Sequence, residues 1–104
     1  MNDPLKRREA LTFSHMGFFA RDIERLARFY TQVLGFVITD RGLLGTTPLI
    51  FLSRDPTEHH QIVLAAGRPE GLPFNVINQI SLRVSDLSVL REVRKRVLAD
   101  PDAS

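Results

Sequence analysis

Short runs of apolar and polar residues follow one another along the chain, and each run predicts one element. Residues 13–20 are aromatic and apolar, and the run is too short for a helix, so we predict a strand. Asp22 then supplies the N-cap of a helix that ends at Gly35. The apolar positions of this helix recur at helical spacing and are Ile23, Leu26, Phe29, Tyr30, Val33 and Leu34.

Three further apolar runs, at residues 36–39, 49–53 and 61–65, predict strands separated by glycines and prolines. The predicted order is therefore β-α-β-β-β, and the fold class is α+β. Residues 68–73, rich in glycine, proline and charge, predict a surface linker.

The second part of the chain repeats the first. Residues 78–98 align with residues 14–34 at a constant offset of 64 and without a gap, so that Asp86 falls on Asp22 and Gln79 falls on His15. A duplicated βαβββ module explains this match. We predict a single domain over 1–104, with one complete module at about 11–67 and half of a second at about 74–99, whose remaining strands would lie past Ser104.

Composition restricts the possible functions. The 104 residues, 43% of them hydrophobic, form one small folded domain, and the absence of cysteine excludes disulfides and thiolate metal sites. No apolar run has the length of a membrane span or signal peptide, which predicts a cytoplasmic protein without a membrane partner. The net charge is only +2, and we interpret the basic residues of the second predicted helix as its solvated face, so no nucleic-acid partner is expected. These residues are Arg91, Arg94, Lys95 and Arg96.

Strand alternation selects the candidate site residues. His15 and Phe19 lie on the face of the first strand that is turned away from the helix, and Gln79, Ser81 and Arg83 share the equivalent face of the second module. If the modules pack about a pseudo-twofold axis, His15 and Gln79 converge. A lone strand histidine is more often structural, so its role stays open at this point. Phe19, Ser81 and Arg83 are candidates for substrate contact.

His59 and His60 are candidates for acid–base chemistry, because imidazole titrates near neutral pH. At the start of a strand they would point to opposite faces, so we expect only one of them to enter the site. The alternative is a pair of exposed histidines at the strand edge. Tyr30 is predicted to be a core residue, and Glu58 is predicted to be solvated.

Three segments together resemble the vicinal oxygen chelate superfamily, which includes glyoxalase I, extradiol dioxygenases, and bleomycin- and fosfomycin-resistance proteins. The segments are FSHMGFFARDIERLARFYTQVLGF, HHQIVLAAG and NQISLRVSDLSVLREV. Within the superfamily the chain is most similar to small dihydroxybiphenyl-dioxygenase-like or glyoxalase-like proteins. The resemblance implies a cup built from paired βαβββ modules, with a divalent metal ion at its floor.

For this chain the resemblance implies His15 as first metal ligand and Gln79 as second, where extradiol dioxygenases have histidine. The usual third ligand, a glutamate, belongs to the strand expected past Ser104, and Val63 occupies the position of first-module carboxylate ligands. We therefore expect weak binding of Fe²⁺ or Mn²⁺, with Zn²⁺ or Ni²⁺ as further options.

The resemblance implies a metal-dependent enzyme acting on a small, vicinally oxygenated compound such as a catechol. Two alternatives stay open: a metal-free small-molecule binding protein of the bleomycin-resistance kind, and an inactive, truncated relative. Half a module would leave strand edges unpaired, so we also expect self-association, most simply as a homodimer.

Overall fold

A computed structural model describes residues 10–103 of the chain. Its elements are β1 (Met16–Ala20), α1 (Ile23–Gln32), β2 (Val37–Leu44), β3 (Thr47–Ser53), β4 (Ile62–Ala66) and α2 (Leu87–Ala99). The α+β class and the β-α-β-β-β order of the first module are thus confirmed. No helix in the described part of the chain is both long and apolar enough to cross a membrane.

The four strands form one mixed sheet in the order β1-β4-β3-β2. β1 and β4 are parallel, with Met16 opposite Ile62, whereas β4, β3 and β2 are antiparallel to their neighbours. This topology places β1 at one edge of the sheet. It also brings the residues that precede β1 and the residues that precede β4 to the same end of the sheet.

Helix α1 forms where the sequence predicts it, and its N-terminus is capped as expected. The carboxylate of Asp22 accepts a hydrogen bond from the backbone N–H of Arg25 at 3.0 Å. After the helix, Gly35 has a φ of +76°, a left-handed conformation that glycine adopts without steric cost. The chain can therefore turn directly from α1 into β2.

The core lies between α1 and one face of the sheet. Ile50, Leu52 and Leu64 are almost completely buried, and Ala20, Ile23, Ala27, Tyr30, Phe36 and Ile62 complete the cluster. The predicted alternation of β1 is confirmed, because Ala20 is buried and Phe18 packs on the core, while Phe19 is exposed. Tyr30 is a core residue, as predicted, and burial raises the pKa of its phenol.

Strands β2 and β3 are longer than the sequence predicts. They form a hairpin whose turn contains Gly45 with a φ of +63°, and pairing across the hairpin extends both strands through Gly42 and Pro48. Pro48 is tolerated because it lies outside the part of β3 that pairs with β4, which begins at Leu49. Gly42 and Pro48 therefore do not mark the ends of β2 and β3, as the sequence had suggested they would.

The predicted strand around Gln79 is absent, and this part of the prediction is wrong. Residues 67–86 contain neither helix nor strand. A strand needs a neighbour for its backbone hydrogen bonds, and in the described residues no strand pairs with this segment. The duplication itself stays a prediction.

Helix α2 does form after Asp86, whose carboxylate accepts from the N–H of Val89 at 3.2 Å, yet none of its residues is buried. It is attached to α1 by polar contacts: the Nε of Arg96 donates to the carbonyl oxygen of Val33 at 2.8 Å. Beyond the helix, the Nε of Arg25 lies 3.3 Å from a carboxylate oxygen of Asp102. The second helix is therefore correctly predicted but packs weakly.

Candidate ligand groove and histidine cluster

The three histidines of the chain lie together, and we call His15, His59 and His60 the histidine cluster. The ring centroids of His15 and His60 are 4.2 Å apart, and those of His59 and His60 are 5.1 Å apart. The parallel pairing of β1 with β4 explains the contact, because His15 directly precedes β1 and His60 lies two residues before β4.

The expectation that His59 and His60 point to opposite faces is wrong. Strand β4 begins only at Ile62, so the alternation of a strand does not apply to the two histidines. Their Nδ1 atoms are 2.8 Å apart, within hydrogen-bond distance. Both imidazole rings therefore belong to the same candidate site.

Polar and aromatic neighbours fix the histidine cluster. The Nε2 of His59 lies 3.5 Å from a carboxylate oxygen of Asp40 on β2, and both side chains are exposed. The ring of Phe51 on β3 packs against His60, with centroids 5.1 Å apart. The Nδ1 of His15 is 2.9 Å from the hydroxyl of Ser14.

The environment of His60 favours its neutral form. Partial withdrawal from water, followed by the neighbouring His15 and His59, lowers the pKa of His60 below its ordinary value of 6.5, while Glu58 opposes the shift. A neutral imidazole offers a nitrogen lone pair to a proton or a metal ion. The structure therefore stabilises the neutral state of His60.

The residues do not fit the metal site that the resemblance implies. The side-chain amide of Gln79 donates to the hydroxyl of Ser81 at 2.9 Å. The predicted strand that would place Gln79 and Ser81 on the same face as His15 does not form in the described residues. Within residues 10–103, no group of three histidine, aspartate or glutamate side chains is placed to hold a metal ion. Glu58 is exposed, and Val63, which is half-buried in β4, offers no donor atom.

A groove runs along the free side of β1, and we call it the edge groove. It has a volume of about 1070 Å³ and lies between β1, helix α1 and residues 68–80. Its lining is mainly apolar and includes Phe18, Phe19, Leu26, Tyr30, Leu72 and Phe74. Phe19 is one of the residues that line this groove, whereas Ser81 and Arg83 are exposed and do not line it.

Two arginines add positive charge to the edge groove. The backbone N–H of Arg68 donates to the carbonyl of Ala20 at 3.4 Å, and its guanidinium donates to the carbonyl of Phe74 at 3.4 Å. Within the described residues, neither Arg68 nor Arg21 forms an ion pair with a carboxylate. Sequence reasoning missed Arg68 because it falls in the predicted surface linker.

Comparison with known proteins gives one match. A family model described as the Glyoxalase/Bleomycin resistance protein/Dioxygenase superfamily matches residues 12–96, a range that contains the whole sheet, α1 and most of α2. No curated protein and no solved structure gives a significant match.

Proposed function

Because the chain belongs to the Glyoxalase/Bleomycin resistance protein/Dioxygenase superfamily, we propose that it binds a small organic molecule in the edge groove. The observation that carries this proposal is the groove itself, about 1070 Å³ in volume and lined mainly by apolar and aromatic side chains. Concave sites with an apolar lining and a few polar groups are the usual binding places of small molecules. This proposal corresponds to the metal-free small-molecule binding protein, one of the alternatives that the sequence leaves open.

The lining indicates the class of ligand. Phe19 and Phe74 offer aromatic surfaces, on which a planar apolar molecule can pack. Arg68 brings a guanidinium group to the same groove, and within the described residues this group has no carboxylate partner. A guanidinium group pairs well with a carboxylate or similar anion. We therefore infer an aromatic or otherwise flat apolar ligand that carries an anionic group.

A matched pair of probes tests this proposal. Calorimetric titration of the chain with 2-naphthoate and with the neutral 2-naphthamide separates the apolar contribution from the charge contribution. We expect both to bind, with naphthoate binding about tenfold more tightly, as a charge-assisted hydrogen bond predicts. Absence of binding by both probes contradicts the proposal.

Two variants assign the charge to its residue. Arg68→Gln should remove the preference for naphthoate and leave naphthamide binding unchanged. Arg83→Gln is the matched control, because Arg83 lies outside the groove and its substitution should change neither affinity. A preference that survives in Arg68→Gln but disappears in Arg83→Gln would contradict the assignment.

Metal-dependent chemistry of the dioxygenase or glyoxalase type is the second candidate function. The observation that favours it is that His15, the first ligand implied by the resemblance, lies in the histidine cluster. Titration with Fe²⁺ under anaerobic conditions or with Mn²⁺, followed by a test of catechol cleavage, examines this candidate. Retention of one tightly bound ion that is lost in both His15→Asn and Gln79→Ala would favour it over metal-free binding.

We also propose that the chain self-associates. Large apolar side chains of the second half are exposed, among them Leu82, Leu87 and Leu90 at 52%, 57% and 50% of their full accessible surface. In the described residues β1 pairs on one side only, which leaves an edge whose backbone groups can accept another strand. Both features are typical of surfaces that are covered by a partner.

A further inference from the structure

The two adjacent histidines of the cluster have a geometry that suits a metal ion. We propose that His59 and His60 form a two-nitrogen clamp for a divalent transition-metal ion, with Cu²⁺ and Ni²⁺ preferred over Zn²⁺. This site is separate from the edge groove, since neither histidine lines the groove. It also differs from the site that the resemblance implies, which uses His15 and Gln79.

The distance between the two donor atoms sets the geometry of the ion. The Nδ1 atoms of His59 and His60 are 2.8 Å apart. With metal–nitrogen bonds of about 2.0–2.1 Å, this separation gives a nitrogen–metal–nitrogen angle of about 86°. Adjacent ligands in square-planar and octahedral complexes subtend roughly 90°, whereas a tetrahedron requires roughly 109°. This separation of the donor atoms therefore favours Cu²⁺ and Ni²⁺ over tetrahedral Zn²⁺.

Asp40 orients one of the donors. Its carboxylate oxygen lies 3.5 Å from the Nε2 of His59 and would favour the neutral tautomer that carries its proton on Nε2. The lone pair of Nδ1 is then available to a metal ion. A carboxylate behind a ligating histidine is a common arrangement in metal sites, where it fixes the tautomer and makes the ligand more basic.

The second donor needs only a change of tautomer. In the metal-free pair, the Nδ1–H of His60 can donate to the Nδ1 of His59 across the 2.8 Å contact. Metal binding moves that proton from Nδ1 to Nε2 of His60 through water, so the ring stays neutral and no proton is lost overall. The rings of His15 and Phe51, with centroids 4.2 and 5.1 Å from that of His60, restrict its rotation.

The clamp has two protein donors, because within residues 10–103 no third histidine or carboxylate is placed to complete it. Water fills the remaining positions of the ion. We therefore expect affinity in the micromolar range, weaker than that of sites with three or four protein ligands, and rising in the order Zn²⁺, Ni²⁺, Cu²⁺.

The test is calorimetric titration of the full chain, prepared without a polyhistidine tag, with Cu²⁺, Ni²⁺ and Zn²⁺ alone. We expect one Cu²⁺ per chain and at least a tenfold loss of affinity in each of His59→Asn and His60→Asn. Asp40→Asn should weaken binding about 10- to 100-fold, the usual effect of losing a carboxylate behind a ligating histidine. Glu70→Gln is the matched control for the removed charge and should bind as the parent chain does.

His15→Asn tests the two-residue assignment. This variant should keep the parent affinity, and the electron paramagnetic resonance spectrum of bound Cu²⁺ should show two equatorial nitrogens in both proteins. Circular dichroism verifies that every variant is folded. Failure of the parent chain to bind Cu²⁺ saturably, tighter binding of Zn²⁺ than of Cu²⁺, unchanged binding by the His59→Asn/His60→Asn double variant, or an equal loss in His15→Asn and His60→Asn would overturn the proposal.

Discussion

The imidazole rings of His15 and His60 lie edge to face with centroids 4.2 Å apart, although the two residues are far apart along the chain. The parallel pairing of β1 with β4 produces this contact, since Met16 lies opposite Ile62 and the residues before each strand meet at one end of the sheet. As a consequence, a positive charge on His15 contributes to the lowered pKa of His60.

The first prediction concerns the titration of His60. Because the folded environment lowers its pKa, His60 should titrate below the ordinary value of 6.5 when its ring protons are followed by NMR. His15→Asn should raise the pKa of His60 by removing a neighbouring positive charge. Ser14→Ala, which keeps His15, is the control and should leave it unchanged.

The same shift has a consequence for stability. A histidine with a lowered pKa binds fewer protons in the folded state than in the unfolded state, so its contribution to stability falls as the pH decreases through 6.5. A pKa of His60 at or above 6.5 would contradict the prediction.

The second prediction concerns the core. Leu52 is fully buried in the central strand β3, so Leu52→Ala should lower the free energy of unfolding by about 2–5 kcal/mol, and Ile50→Val should lower it by about 0.5–1.5 kcal/mol. Leu43, on the exposed hairpin, provides the control: Leu43→Ala should change stability by less than about 0.5 kcal/mol. Urea denaturation followed by circular dichroism measures the free energy of unfolding of all three variants. Equal losses in Leu52→Ala and Leu43→Ala would contradict the assignment of Leu52 to the core.

The third prediction compares the two helix caps. Asp22 caps α1, whose residues Ile23, Ala27 and Tyr30 are buried, so Asp22→Ala should destabilise the whole domain by about 1 kcal/mol. Asp86 caps α2, which buries no residue, so Asp86→Ala should reduce helical circular dichroism without moving the urea midpoint of the core. A shift of that midpoint as large as the one in Asp22→Ala would mean that α2 is part of the cooperative core.

The fourth prediction concerns acid. Hydrogen bonds from Ser88 and from the N–H of Val89 lower the pKa of Asp86 below its ordinary value of 3.8. The cap therefore stabilises α2 fully above that value, and its contribution is lost as the pH falls through the lower folded pKa. Asp86→Asn keeps a capping side chain but cannot titrate, so in this variant the helical signal of α2 should depend less on pH between 5 and 2.

The sequence predicted the first module well because its signals are local. Asp22 caps the start of α1, Gly35 turns the chain shortly after the C-cap Val33, and the alternation of β1 correctly separates Phe18 from Phe19. The strand around Gln79 was wrong because a strand depends on a partner that periodicity does not reveal. The contact between His59 and His60 was missed because both residues precede β4, where the alternation of a strand does not determine the direction of the side chains.

The last prediction concerns self-association. If the exposed apolar residues of the second half are covered by another copy, Leu90→Glu should place a charge in that interface and shift the chain toward monomer in sedimentation velocity at micromolar concentration. Leu43→Glu places the same charge on a more exposed leucine of the β2–β3 hairpin, away from α2, and should leave the distribution unchanged. Glutamate at position 90 lies on the exposed helix α2, so folding of the sheet is expected to be intact, and the urea midpoint verifies this. A parent chain that sediments as a monomer over this concentration range would show that these side chains need no partner.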